Sequence, residues 1–118
     1  NPAGMRALRA GLDAYFPDLP RVFLLGILKD KDIDAMLAAL LRPGDQVITV
    51  RPNSERAAAA DVVAAIAAGM GLDTHACGDA AAALAEAQAR ARAGNALLVA
   101  AGSLYLVGGI RAMLMTGR

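Results

Sequence analysis

Short runs of apolar residues alternate along this chain with longer stretches in which apolar positions recur every three or four residues. The runs are Val22–Ile27, Val47–Val50, Thr74–Cys77 and Leu97–Ala101. Between and after them lie helical patterns. Asp32–Leu41 gathers Ile33, Met36, Leu37 and Leu40 on one face, and Leu104–Met115 does the same with Leu106, Val107, Ile110, Met113 and Leu114. Glu55–Met70 and Ala80–Ala93 are alanine-rich, and alanine is the strongest helix former. Strands that alternate with helices of this length predict a mostly parallel sheet with helices on both faces. The first two runs are nearly continuous rather than alternating, as in strands covered on both sides. Thr74–Cys77 carries the weakest pattern and is expected at an edge. The class is α/β and Rossmann-like.

Turn residues support this phasing. Pro43-Gly44-Asp45 follows the first of these helices, Gly69 and Gly71 the next, and Gly94-Asn95 the one after. Asp32, Ser54, Asp79 and Ser103 stand where N-caps are needed. Asn1-Pro2-Ala3-Gly4 leads straight into an amphipathic helix with Met5, Leu8, Leu12 and Phe16 on one face. No strand precedes that helix and no initiator Met is present. The expectation is a chain of one domain, residues 1–118, cut from a longer protein, with a first strand and most of a loop upstream.

Composition narrows the function classes. A length of 118 residues fits one domain. The hydrophobic fraction is 57% but aromatics are only 3%, so the core must rest on Leu, Val, Ile, Met and Ala. A net charge of +1, with no basic stripe, points away from nucleic acid and from anionic membrane surfaces. Residues 93–110 carry no charge, the length of a membrane helix, but four glycines and Asn95 interrupt them. A buried strand followed by a helix accounts for them better. One cysteine excludes an internal disulfide and suits a reducing, cytoplasmic setting. His75 and Cys77 alone are too few ligands for zinc, and no metal site is expected.

In open parallel sheets ligands bind beyond the carboxyl ends of the strands. Three loops leave that edge here: Leu28–Lys31, Arg51–Arg56 and Gly102-Ser103-Leu104. They supply Lys29, Lys31, Arg51, Arg56 and a serine-capped helix start, a donor-rich rim suited to a carboxylate or phosphate. Lys29 and Lys31 are the only lysines in the chain. Asp30 and Asp32 temper the positive charge. The plainer reading of the Lys–Asp alternation is a solvated loop with weak surface pairs. There is no Gly-x-x-x-x-Gly-Lys-Ser/Thr phosphate loop, no Gly-x-Gly-x-x-Gly after a strand, and no credible nucleophilic triad around one histidine.

Four segments carry a resemblance: Asn1-Pro2-Ala3-Gly4, Gly26-Ile27-Leu28-Lys29-Asp30-Lys31-Asp32, Arg51-Pro52-Asn53-Ser54-Glu55-Arg56-Ala57 and Gly102-Ser103-Leu104-Tyr105-Leu106-Val107-Gly108. In order and context they resemble the C-terminal domain of folylpolyglutamate synthase/dihydrofolate synthase, in the Mur ligase superfamily. The first looks like the end of that family's Asp-Gly-Ala-His-Asn-Pro motif.

The resemblance implies part of an ATP-dependent amide ligase. In such enzymes MgATP phosphorylates a substrate carboxylate, and the amino group of glutamate attacks the acyl phosphate. ATP and Mg2+ would be held mainly by a preceding N-terminal domain, together with most of the folate or dihydropteroate site. This domain would close the cleft and help bind the incoming glutamate. By motif position, Lys31, Ser103 and the Leu104 backbone would grip glutamate. Asn1 and Pro2 would lie at the nucleotide and interdomain edge, with Asp30 and Arg56 ordering the loops there. No catalytic residue and no bound cofactor is expected in this chain alone, which should be inactive by itself. Gly109 stands where many relatives carry an acidic residue, so no carboxylate role transfers there. Two other readings remain: a Mur-type ligase domain acting on a cell-wall precursor, and a non-catalytic Rossmann-like binding module.

Overall fold

A computed structural model describes residues 1–102. Its elements run α1 (Pro2–Tyr15), β1 (Arg21–Leu25), α2 (Ile33–Leu40), β2 (Gln46–Thr49), α3 (Ala60–Gly69), β3 (Asp73–Ala76), α4 (Ala80–Gly94) and β4 (Leu97–Ala101). All four strands are parallel, in the order β3-β2-β1-β4. The expected α/β architecture is therefore present, with the Thr74–Cys77 run at an edge. The helix expected over Leu104–Met115 and the cap expected at Ser103 lie outside the described residues.

Alternation along the strands divides the core in two. Phe23, Leu25 and Val47 point to α1, α2 and α3, where Met5, Leu12, Met36, Leu37, Leu40, Val63 and Ala67 meet them. Val22, Leu24, Ile48 and Val50 point the other way, onto Ala83, Leu84, Ala87 and Ala91 of α4. Every residue of β1 is buried, and after Arg21 its sequence is apolar without a break. Each large side chain so buried contributes about 1.5–3 kcal/mol. Apart from Leu84, the buried residues of α4 are alanines, so this helix can pack close to the sheet.

The capping residues divide. Asn1 accepts from the Gly4 amide at 2.7 Å, with Pro2 in the first helical position. Asp32 accepts from Ala35 at 3.2 Å and Asp79 from Ala82 at 2.8 Å. Ser54 does not cap a helix. The helix expected from Glu55 begins only at Ala60. Residues 56–58 instead bond to the β1–α2 loop: Lys29 N–H donates to Arg56 at 2.7 Å, and Ala58 N–H to Ile27 at 2.8 Å. Backbone used in this lateral pairing is lost to the helix, and Ser54 closes a turn, its hydroxyl accepting from the Arg56 amide at 3.2 Å.

Phe16 also departs from expectation. It is 43% exposed rather than on the apolar face of the first helix. Pro17 disfavours helical backbone at the residue before it, so α1 stops at Tyr15 and Phe16 is its C-cap.

Candidate functional site

The strand order contains one reversal. From β1 the chain steps outward to β2 and β3, then returns across the sheet to β4 on the other side of β1. The carboxyl ends of β1 and β4 therefore border the crevice in which sheets of this kind bind ligands. Gly26 and Gly102 face each other there. The Gly26 amide donates to the Ala101 carbonyl at 3.3 Å, which extends the β1–β4 ladder by one rung. Gly102 has φ +111°, and a β-carbon on it would sit 2.5 Å from the Gly26 carbonyl oxygen. Only glycine accommodates both conditions.

From this crevice the β1–α2 loop carries Lys29, Asp30 and Lys31, all exposed. Its course is fixed by an isolated antiparallel bridge between Leu28 and Ala57 and by the Lys31 amide bonding back to Leu28 at 3.2 Å. Asp30 pairs with Arg56 across the two loops. The hydrogen bond from Arg56 is the chief reason the Asp30 carboxyl lies below its ordinary range. Asp30 and Arg56 thus neutralise each other, and Asp32 is occupied at the start of α2. Lys29 and Lys31 make no ion pair or side-chain hydrogen bond among the described residues. This donor set suits a carboxylate. It does not suit magnesium, because both loop carboxylates are already engaged.

The other expected positions lie as follows. Asn1 and Pro2 open α1, whose far end sits at the amino end of β1, where Arg21 bonds the Leu12 and Phe16 carbonyls at 3.0 and 2.8 Å. A helix of 14 residues separates them from that end by about 21 Å. Arg51 lines an open hollow of about 520 Å³ with Asn53, Ser54, Glu55, Gly78 and Asp79, one strand further along the same edge. Ser103 and Leu104 lie outside the described residues; Ser103 follows Gly102 directly in sequence.

Residues 1–103 match the model of the Mur ligase glutamate ligase domain. The chain belongs to that family. No curated protein sequence matches it. Several solved structures share the glutamate ligase domain fold. Folylpolyglutamate synthase of Mycobacterium tuberculosis, solved with ADP and AMPPCP, matches at 28% identity and TM-score 0.83, over 100% of this chain and 28% of its own. Folylpolyglutamate synthase of Thermotoga maritima matches at 27% and 0.80, over 100% of this chain and 26% of its own. The bifunctional folylpolyglutamate synthase/dihydrofolate synthase of Yersinia pestis, solved with AMPPNP and manganese, matches at 25% and 0.82, over 98% and 27%. The chain thus spans little more than a quarter of these relatives' length. Among the described residues no helix of this glutamate ligase domain is long and apolar enough to cross a membrane.

Two features of the domain escape a reading of its sequence. One is the hollow beside Arg51, which needs the β3–α4 loop to close it. The other is a third ligand-type side chain, Glu86, beside His75 and Cys77. Neither is visible until strand and helix are set side by side.

Proposed function

We propose that this chain is the glutamate-binding domain of a longer ATP-dependent amide ligase that adds glutamate to dihydropteroate or a folate. One observation carries the reading. The Gly26–Lys31 loop and the end of β4 meet at the crevice where the strand order reverses, in a chain similar over its whole length to folylpolyglutamate synthases. In this reading ATP and Mg2+ are held mainly by the remainder of the enzyme, and MgATP activates the acceptor carboxylate. The domain's own residues orient the incoming amino acid. The Lys31 ammonium pairs with a glutamate carboxylate. The Ser103 hydroxyl and the Leu104 amide, at the expected helix start, donate to the same group. Asn1 and Pro2 face the nucleotide and interdomain edge, and the Asp30–Arg56 pair holds the two loops beside it. The setting is cytoplasmic, consistent with a single, unpaired cysteine.

The test uses the full-length enzyme containing this chain. Lys31→Ala and Ser103→Ala should each raise KM for glutamate while leaving KM for ATP unchanged. Loss of a charged hydrogen bond, about 1.5–3 kcal/mol, corresponds to roughly 10- to 150-fold. Wild-type glutamate kinetics in both variants would refute these roles. The 118-residue chain alone should not turn over ATP.

A further inference from the structure

His75 and Cys77 are two residues apart at the edge strand β3, so both lean toward the face covered by α4. The backbone keeps Cys77 in line with the strand, its amide donating to Thr49 at 2.8 Å. Glu86 comes from α4 and directs Oε2 between them. It lies 3.2 Å from Cys77 Sγ and 3.5 Å from His75 Nε2. All three ligand atoms lie within 4.8 Å of one another. A tetrahedral zinc, with bonds of about 2.0–2.3 Å, spaces its ligand atoms roughly 3.3–3.7 Å apart. The two measured separations are close to that already. Rotation of the half-exposed His75 ring can close the remainder.

The surroundings are those of a metal ligand set. The second oxygen of Glu86, Oε1, accepts from Arg90 at 3.3 Å, and Arg90 is itself held by Asp73 at 3.2 Å and Gln46 at 3.3 Å. Metal-binding carboxylates are commonly oriented by such an outer hydrogen bond. The Glu86 and nearby Asp79 carboxylates outweigh the single Arg90 cation, so added positive charge is favoured. Imidazole, thiol and carboxylate together select a borderline-soft ion over magnesium or calcium. The His75 side chain is 53% exposed, so the cluster is reached from solvent.

We propose that His75, Cys77 and Glu86 bind one Zn2+-class divalent ion, clasping the edge strand to α4. The site is separate from the carboxyl-edge crevice, so its fate does not depend on the ligase reading.

Titration of the full chain with Co2+ should give a thiolate-to-cobalt charge-transfer band that saturates at one equivalent and is bleached by Zn2+. Cys77→Ser should abolish the band. Removal of a direct ligand in Cys77→Ser or Glu86→Gln should weaken Zn2+ binding by more than the roughly 10–100-fold that a lost outer-shell partner costs. His75→Gln, at a side chain 53% exposed, retains the fold and should show the same loss even if the other variants misfold. Absence of the band, or Zn2+ affinity unchanged in His75→Gln, would overturn the proposal.

Discussion

Gly102 and Gly26 are in backbone contact across the crevice between β4 and β1. The position a β-carbon on Gly102 would occupy is 2.5 Å from the Gly26 carbonyl oxygen and 3.1 Å from Ile27 Cγ1. Two strands far apart in sequence are thus locked together at their carboxyl ends. The loop after β1 carries Lys31; the chain after β4 continues into Ser103. The contact fixes Gly26 and Gly102, the first residues after β1 and β4, side by side.

Gly102→Ala should therefore destabilise the chain by about 1–3 kcal/mol, because an alanine must adopt a disfavoured backbone conformation and also displace backbone atoms. Gly11→Ala is the opposite case. Gly11 lies within α1, and a β-carbon there meets nothing within 4 Å. It should stabilise by about 0.5–1 kcal/mol. Urea unfolding of both variants checks the opposed signs. A neutral Gly102→Ala would show that the crevice backbone is not tightly fixed.

The Asp30–Arg56 pair sets a pH dependence whose sign follows from the lowered carboxyl. A carboxylate favoured in the folded chain adds stability above its ordinary value of 3.8, and that stability is lost as pH falls through the lower folded value. NMR titration of the Asp30 carboxyl should give a midpoint below 3.8, which returns toward 3.8 in Arg56→Ala. A midpoint unmoved by Arg56→Ala would mean that solvent, not Arg56, sets it. Both groups are exposed, so Arg56→Ala should not unfold the domain near neutral pH.

Much of this architecture was legible in the sequence, and the failures have causes. β1, β2 and β4 could be read because covered strands need nearly continuous apolar runs, whereas β3, part-exposed at the edge, left only a weak pattern. Asp32 and Asp79 could be read as caps because their bonds are local, three residues long. Ser54 sits in an equally suitable local pattern, yet hydrogen bonds from Lys29 and Ala58 decide its segment, and those span 27 and 31 residues. The cationic rim was legible as residue types, but not the mutual neutralisation of Asp30 and Arg56, 26 residues apart. Glu86 lies within the alanine-rich helical stretch Ala80–Ala93, where nothing in the sequence marks it as a ligand. Nothing near it in sequence points to His75 and Cys77 across the β3–α4 turn.

Arg9 shows the same limit in the core. Its charge suggests a solvent-facing residue, yet it falls on the same face as Met5 and Leu12 and is 8% exposed. Its guanidinium bonds Asp45 at 2.7 Å and the last carbonyl of α2, Leu40, at 3.2 Å. Asp45 in turn accepts from the Arg42 amide at 2.8 Å, which closes the Pro43-Gly44 turn into β2. Asp45→Ala leaves the arginine buried without its counter-charge and should cost about 3–5 kcal/mol. Arg9→Met preserves apolar packing along the stem but strands Asp45, and should cost a similar amount. In the double variant neither charge remains to be stranded. Its loss should fall short of the sum of the single losses by roughly 0.5–3 kcal/mol, the coupling expected of residues in contact. Urea unfolding of the four chains measures this directly. Additive losses would mean that Arg9 acts through Leu40 and Asp13 alone and that the ion pair with Asp45 does not bind α1 to the turn.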